Sequence, residues 1–221
     1  MAIGGGACVT FLYGWTNGGV LGLYAALIPT YHMLEYLSVA MYNPGRVTME
    51  SFMFNPDEGN NYYKAMSVSV AEYVLECWLF PSSKSPGVLT FAGLAVALVG
   101  QATRALAMVT AKTSFNHYIA SSRAVDHQLI THGVYRYERH PSYVGFFLWA
   151  VGLQLMLKNP FSLLAFVAVL GYFFICRTRY EERTLRRMFG DPYVRYRART
   201  PSLIPFIGDV PEADSSSSDS E

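Results

Sequence analysis

A polar cluster stands directly before a long apolar segment in the stretch YRYERHPSYVG, residues 135–145. Pro141 suits the first position of a helix, where its missing N–H group is not needed. The backbone N–H groups of residues 142–144 would then point out of the helix start, where the helix dipole favours an anion. Arg139 and His140 would add donors. The pattern predicts a site for a carboxylate or phosphate, and an interfacial anchor of Arg and Tyr side chains explains it equally well.

A second charged pair follows the last long apolar run. Arg177 and Glu181 are four residues apart and therefore share one face of a helix. Arg177 directly follows the apolar residues 166–176, and a charge at that depth usually faces the interior of a membrane bundle and often marks function. Snorkelling of Arg177 to the lipid headgroups is the structural alternative. The arginines of residues 183–199 are more typical of a solvated or lipid-facing basic surface than of a catalytic set.

Motifs of several other catalytic classes are missing from the sequence. The five histidines form no HExxH pattern, and His127 and His132 lie five residues apart in a glycine-containing loop. The three cysteines, Cys8, Cys77 and Cys176, lie in apolar runs, which favours buried small hydrophobes over a disulfide framework or a zinc site. There is no GxGxxG, P-loop or GxSxG motif. We therefore expect neither a bound metal nor a nucleic-acid partner.

The composition predicts that membrane helices position these residues. Hydrophobic residues make up 52% of the 221 residues and charged residues 15%, against about 25% charged residues in ordinary globular chains. A hydrocarbon core of about 30 Å needs roughly 20 residues of apolar helix. Five apolar segments approach or exceed this length: residues 7–42, 62–80, 88–110, 142–157 and 161–176. Only KNP separates the last two, so we predict an all-α, polytopic membrane helical bundle of about five membrane segments, the last two forming a tight hairpin.

Charge and composition also predict the topology and the domain limits. Positive charge marks the cytosolic side, so residues 111–141 and 177–199 are predicted to be cytosolic and the N-terminus lumenal. Residues 1–210 form one integral membrane domain in this interpretation. The acidic, serine-rich residues 211–221 cannot bury enough apolar surface to fold and are predicted to be a disordered tail.

Small residues recur in the first apolar segment. Gly14, Gly18 and Gly22 follow one another at four-residue spacing and form a face suited to close helix packing. Packing of this face within the chain is the favoured interpretation. Packing between two chains, as a homodimer, is the alternative.

The order of several motifs resembles one family of enzymes. The motifs are YHMLEY (31–36), TSFNH (113–117), HQLITHGVYRYERHPSYVGFFLW (127–149), NP (159–160), FFICRTRYEE (173–182) and FGDPYVRYRARTPSLIPFI (189–207). This ordered set resembles the isoprenylcysteine carboxyl methyltransferases, membrane enzymes that methylate prenylated C-terminal cysteines. The resemblance spans about Tyr31 to Gly208. The RHPSYVG motif alone is less specific, because phospholipid methyltransferases and sterol reductases carry similar loops.

The resemblance implies a cofactor, a substrate class and a set of site residues. The cofactor is S-adenosyl-L-methionine, held in a cytosolic pocket made by segments of about 111–142 and 177–208. Its implied contacts are His127, Gln128, Leu129, Ile130, Tyr135, His140, Pro141, Ser142, Tyr143 and Glu181. Arg177 is implied to be the catalytic residue that contacts the substrate. The family often has a glutamine where this chain has Ala120, so that contact is not carried over.

The implied partners are CaaX-processed proteins that carry a farnesyl or geranylgeranyl cysteine, together with membrane lipid. The implied location is the endoplasmic reticulum membrane, with the active site facing the cytosol. A phospholipid methyltransferase is an alternative, but its acceptor is an amine, which an arginine at the acceptor site would disfavour. A nicotinamide-dependent membrane sterol reductase and a non-catalytic membrane protein of the same fold are the remaining alternatives.

Overall fold

A computed structural model describes residues 19–48, 51, 60–117 and 128–205. Over these ranges the chain forms six α-helices and no strand. The helices are α1 Gly19–Tyr42, α2 Asn60–Leu79, α3 Val88–Ala111, α4 Pro141–Leu157, α5 Pro160–Phe189 and α6 Asp191–Arg199. Short 3-10 turns cover Pro44–Arg46, Pro81–Lys84, Lys112–Ser114 and Gly133–Arg136. The predicted all-α fold is confirmed.

The predicted apolar segments 62–80, 88–110 and 142–157 correspond to helices whose ends differ from the prediction by at most two residues. The first segment ends at Tyr42 as predicted, and its predicted start at residue 7 lies outside the described residues. Helix α5 does not end near residue 176 but continues for a further 13 residues to Phe189. The helices Val88–Ser114 and Pro160–Phe189 are long and apolar enough to cross a membrane. Pro29 lies inside α1 without ending it. Gly14, Gly18 and the tail 211–221 lie outside the described residues.

Helices α3 and α4 pack with their backbones in contact. Gly93 and Gly100 on α3 face Gly145 and Gly152 on α4, and a Cβ atom at any of the four would overlap backbone atoms of the facing helix. Each pair is seven residues apart, which is about two helical turns and keeps both glycines on one face. Trp149 and other fully buried apolar side chains of α4 fill the core around this contact. The pair α3–α4 is the rigid centre of the bundle.

The turn between α4 and α5 is hydrogen-bonded to the turn between α2 and α3. Lys84 is buried and donates hydrogen bonds to the carbonyl oxygens of Leu157 at 2.9 Å and Lys158 at 2.8 Å. Its ammonium group also pairs with Glu76 of α2. Lys158 adopts a left-handed conformation that ends α4 and lets the chain reverse. Helix α4 therefore runs beside α3 as far as the turn Pro81–Lys84, which precedes α3.

Helix α2 joins the beginning of α5 through a carboxylate. The two oxygens of Glu72 accept hydrogen bonds from the backbone N–H groups of Phe161 at 2.8 Å and Ser162 at 2.7 Å. These N–H groups have no partner within their own helix, and the helix dipole favours an anion beside them. One turn earlier on α2, Ser69 accepts a hydrogen bond from Asn159 at its carbonyl oxygen, at 2.8 Å. The two helices are fastened together at this end.

Candidate active site

A cavity of about 1510 Å³ follows one face of α5 for most of its length. One half is polar and is bordered by loop residues 128–135 and by the beginning of α4. The other half is apolar and lies between α2 and α5, with Phe166, Val169 and Phe173 along its wall. The two halves form one continuous space.

The structure brings almost all of the predicted site residues to this cavity. Its lining includes Gln128, Leu129, Ile130, Tyr135, His140, Pro141, Ser142, Tyr143, Arg177 and Glu181. His127 and Ala120 lie outside the described residues. The prediction that Arg177 and Glu181 share one face of a helix is confirmed, because both side chains face the cavity from α5.

His140 lies between two carboxylates. Its Nε2 atom is 2.8 Å from Glu182 Oε1, and its Nδ1 atom is 3.4 Å from Glu181 Oε2. Burial alone would lower the pKa of this imidazole, but the two carboxylates stabilise its charged form and raise the pKa to about 9. The ring of Tyr143 stacks parallel to the imidazole, with centroids 5.7 Å apart. The two carboxylates of the polar half therefore favour the protonated form of His140.

The predicted anion site at the start of α4 is wrong in part. The N–H groups of Tyr143 and Val144 both donate to the carbonyl oxygen of His140, at 3.0 and 3.2 Å. His140 is the residue that caps the helix, so only the first three helical N–H groups can remain free. Pro141 has no N–H group, and Tyr143 uses its own in a tighter 3-10 type bond. The backbone here offers little to an anion.

The charged residues before His140 hold the C-terminal segment in place, and Arg139 also lines the cavity. Arg139 donates to Glu182 at 2.9 Å and to the carbonyl oxygen of Thr200 at 2.9 Å. Glu138 is buried and accepts hydrogen bonds from the N–H groups of His140 at 2.9 Å and Leu203 at 2.5 Å. These contacts fasten the chain after α6 against the beginning of α4. The cluster thus closes one side of the polar half.

Arg177 stands where the polar and apolar halves meet. Its Nε group donates to the Tyr143 hydroxyl at 3.0 Å, and its Nη2 group donates to the carbonyl oxygen of His117. The guanidinium carbon lies 5.5 Å from the centroid of the Tyr143 ring and 5.9 Å from that of Phe173, in cation–π range. Two hydrogen bonds and two rings therefore fix the position of this cation.

A buried charge network supports Arg177 from behind. Arg104 of α3 binds Glu35 of α1 through two parallel hydrogen bonds of 2.5 and 2.9 Å. The His117 imidazole lies 2.7 Å from the same carboxylate, and the Arg104 guanidinium also donates to Ser142 Oγ at 2.9 Å. Glu35 and Arg104 both lie within apolar segments of the sequence, where a charge needs a partner inside the bundle, and the structure pairs them with each other. The same pair anchors the loop whose carbonyl oxygen holds Arg177.

Three residues of the site were not found by sequence reasoning. Glu182 contacts His140 and Arg139, while Tyr193 and Tyr196 of α6 line the polar half of the cavity. The Tyr196 hydroxyl donates to the carbonyl oxygen of Tyr135 at 2.6 Å. The sequence did contain one signal for the two tyrosines. Their i, i+3 spacing places both on one face of α6, whose other residues are mostly basic.

Comparisons with known proteins show the family to which the chain belongs. A sequence model of the isoprenylcysteine carboxyl methyltransferase family matches residues 93–187. The protein-S-isoprenylcysteine O-methyltransferase of Saccharomyces cerevisiae is 41% identical over 191 residues, which are 84% of this chain and 79% of the yeast protein. Protein-S-isoprenylcysteine O-methyltransferase B of Arabidopsis thaliana is 41% identical over 178 residues, covering 80% of this chain and 88% of the plant protein.

A solved structure is similar over most of the chain. It is the eukaryotic intramembrane Ras methyltransferase, isoprenylcysteine carboxyl methyltransferase, with a TM-score of 0.82 and 36% sequence identity. The match covers 86% of this chain and 67% of that protein.

Proposed function

The chain belongs to the isoprenylcysteine carboxyl methyltransferase family, and from this premise we propose that it methylates the C-terminal α-carboxylate of prenylated cysteine in CaaX-processed proteins. It is an all-helical membrane protein and an O-methyltransferase. The observation that carries the proposal is the cavity, in which a polar half and an apolar half meet at one fixed arginine. A substrate with a carboxylate attached to a long apolar chain fits such a space.

The methyl donor that we propose is S-adenosyl-L-methionine. The polar half suits this group, because Glu181 Oε2 is buried, lies 3.4 Å from His140 Nδ1 without a hydrogen bond of good geometry among the described residues, and can also accept a hydrogen bond from an ammonium or hydroxyl donor. Residues 128–130 line the same half with a glutamine side chain and apolar side chains, which suits a flat ring. His127, Tyr135 and residues 140–143 complete the proposed contacts. When bound, the donor supplies a methyl group activated on a sulfonium.

Arg177 is the residue that we propose to orient the acceptor carboxylate. Two of its donor groups are already used by Tyr143 and His117, while its Nη1 group has no hydrogen-bond partner among the described residues. One hydrogen bond to the substrate would fix the carboxylate and leave its second oxygen free to attack. A C-terminal carboxylate is ionised near neutral pH, so the reaction needs no general base. The task of the protein is alignment, a proximity and orientation effect.

The apolar half is the part that we propose to hold the prenyl chain. Val68 of α2 and Val169 of α5 are 62% and 66% exposed although both line the cavity. The gap between these helices is therefore open on one side. Because both walls are apolar membrane segments, the prenyl chain can enter from the lipid without crossing water.

Several finer points of topology remain proposals with the same basis. We place about five segments across the endoplasmic reticulum membrane, with the last two as a hairpin and the active site on the cytosolic face. The basic residues at the end of α5 and on α6 favour that orientation. Residues 1–210 would form the catalytic domain, and the acidic residues 211–221 would take no part in methyl transfer. Whether two chains associate through Gly14, Gly18 and Gly22 stays a prediction.

The test of the function is methyl transfer from labelled S-adenosylmethionine in membranes that contain the full chain. N-acetyl-S-farnesylcysteine and phosphatidylethanolamine serve as parallel acceptors. Label in the farnesylcysteine methyl ester is the expected result. Label only in the phospholipid would refute the proposal and favour an amine methyltransferase, a choice that the cationic Arg177 makes unfavourable.

Variants separate the roles of Arg177 and Glu181 on α5. We expect Arg177→Ala to lower turnover at least a hundredfold while it changes cofactor affinity by less than a few fold. Glu181→Gln should weaken cofactor binding about tenfold, because a charged acceptor is replaced by a neutral amide. Arg183→Ala, at an exposed position on the same helix, is the control. Equal losses of turnover and of cofactor affinity in Arg177→Ala would contradict the role assigned to this residue.

A further inference from the structure

Two opposite charges on one face of α5 do not pair with each other. Arg177 and Glu181 are four residues apart, a spacing at which oppositely charged side chains on a helix attract each other and can form an ion pair. In the part of the chain that the structure describes, however, Glu181 makes its ionic contact with His140, and no ion pair joins it to Arg177. Partial exclusion of water from a cavity strengthens the attraction between two such charges. Contacts with other elements must therefore hold them apart.

Arg177 is held by two acceptors that lie outside α5. Its Nε group donates to the hydroxyl of Tyr143, in the first turn of α4, at 3.0 Å, and its Nη2 group donates to the carbonyl oxygen of His117. The carbonyl oxygen belongs to the backbone and is present whichever residue stands at position 117. The Tyr143 hydroxyl is thus the one of these two acceptors that depends on the identity of a side chain.

The ring of Tyr143 is fixed in a way that places its hydroxyl beside both charges. It stacks on the imidazole of His140 with centroids 5.7 Å apart and on the ring of Phe174 with centroids 5.2 Å apart. Burial alone would raise the pKa of Glu181, but interactions with His140 and with the Tyr143 hydroxyl stabilise the carboxylate and lower this pKa. The hydroxyl therefore interacts with Glu181 as well as with Arg177.

We propose that the Tyr143 hydroxyl is a positioning group that keeps Arg177 from pairing with Glu181. Held apart, the guanidinium can bind the acceptor carboxylate, and the Glu181 carboxylate can bind the methyl donor. Paired, each charge would occupy the other, and neither ligand would find its partner free. This inference rests on the proposed function, because it takes the two charges as the acceptor and donor contacts. It goes further in giving Tyr143 a role that acts through Arg177 rather than through its own contact with the donor.

The experiment measures the binding of S-adenosylhomocysteine, the donor without its methyl group, to the full chain in nanodiscs by calorimetric titration. Tyr143→Phe keeps the stacked ring and removes only the hydroxyl. This variant should bind S-adenosylhomocysteine at least fivefold more weakly, because Arg177 can then pair with Glu181, and its kcat should fall at least tenfold. Tyr180→Phe is the matched control and should change neither value, because Tyr180 is 54% exposed and lies outside the cavity lining.

A second substitution tests whether the hydroxyl acts through Arg177. In the double variant Tyr143→Phe with Arg177→Ala, no cation remains to pair with Glu181. Its affinity for S-adenosylhomocysteine should therefore return to within twofold of that of Arg177→Ala alone. A general loss of structure would not be reversed by a second substitution, so this recovery separates positioning from an effect on folding.

The outcomes separate this inference from the proposed function. If Tyr143→Phe weakens the binding of S-adenosylhomocysteine equally with and without Arg177, the hydroxyl contacts the donor directly and the inference is overturned. Unchanged affinity and turnover in Tyr143→Phe would overturn it as well. The titration contains no acceptor, so a wild-type protein that binds S-adenosylhomocysteine but methylates no prenylcysteine would refute the proposed function, while the binding data would still decide whether the hydroxyl separates the two charges.

Discussion

Removing the charge of Glu35 should destabilise the protein more than almost any other conservative change. Glu35 is 0% exposed, and its two oxygens receive two hydrogen bonds from Arg104 and lie beside His117. Glu35→Gln keeps the shape of the side chain but leaves the Arg104 guanidinium buried without a counter-charge. Breaking a buried ion pair in this way costs about 3–5 kcal/mol. For a chain of this size each kcal/mol lowers Tm by about 2–4 °C, so Tm should fall by roughly 6–20 °C.

The assay is thermal unfolding of the purified protein in detergent, followed by loss of the monodisperse peak in size-exclusion chromatography. The double variant Glu35→Met with Arg104→Met removes both charges and should regain most of the lost Tm, since a buried pair often contributes little net stability. Asp191→Asn, at an exposed position in the first turn of α6, is the matched control and should shift Tm by only a few degrees. A Tm of Glu35→Gln within 2 °C of the wild type, or a double variant no better than the single one, would show that the pair is not the buried unit described above.

Two further predictions concern pH and packing. The pKa of His140 is about 9 in the folded state against 6.5 for the free imidazole. The pairing of His140 with two acids therefore stabilises the fold fully below pH 6.5, and this stabilisation is lost as the pH rises through 9. Tm of the wild type should fall across this interval, and a His140→Gln variant whose Tm falls equally steeply with pH would contradict the assignment. Gly100→Ala should lower Tm by several degrees, because its Cβ atom would overlap the backbone of α4, whereas Gly171→Ala, whose Cβ atom meets nothing within 4 Å, should leave Tm equal or higher. Equal Tm values for the two glycine variants would exclude a backbone contact between α3 and α4.

Helix positions could be predicted from the sequence because apolar length alone decides them in a membrane. The apolar segment predicted for α5 ended at residue 176, because residues 177–189, the second half of this helix, are rich in charge and hydropathy does not detect them. Only the spacing of Arg177 and Glu181 indicated that the helix continues. The structure shows that this half is an amphipathic helix that buries Thr178, Glu182 and Thr184 against the site. Its helical periodicity was present in the sequence, but nothing local showed which element would cover that face.

Pairings between distant residues were the least predictable part of the site. Glu182 meets His140 from 42 residues away, and Arg104 meets Glu35 from 69 residues away. Single-residue patterns showed that charges inside apolar segments need partners, but they did not show which partners. The expectation at the start of α4 failed because the count of free N–H groups began one residue too late. The first helical residue was predicted correctly, but Pro141 occupies one of the three free positions and has no N–H group, and the N–H group of Val144 is the first to make the α-helical bond back to His140.

The position of the candidate site follows from helix α5, whose residues change from apolar in its first half to charged in its second half. On the proposed function, a lipid-borne carboxylate and a water-soluble cofactor would meet near the boundary between the two, and Arg177 lies at that point of α5. Because Ser162, Arg177 and Glu181 belong to one uninterrupted helix, their separations along its axis are fixed at about 1.5 Å per residue. Sites carried by a single rigid element hold their geometry better than sites assembled from loops. The glycine contact between α3 and α4, the Lys84 lock and the Glu72 cap then hold that helix in place. A change at any of these distant points should therefore alter turnover by displacing α5 as a unit, and not by loosening one side chain of the site.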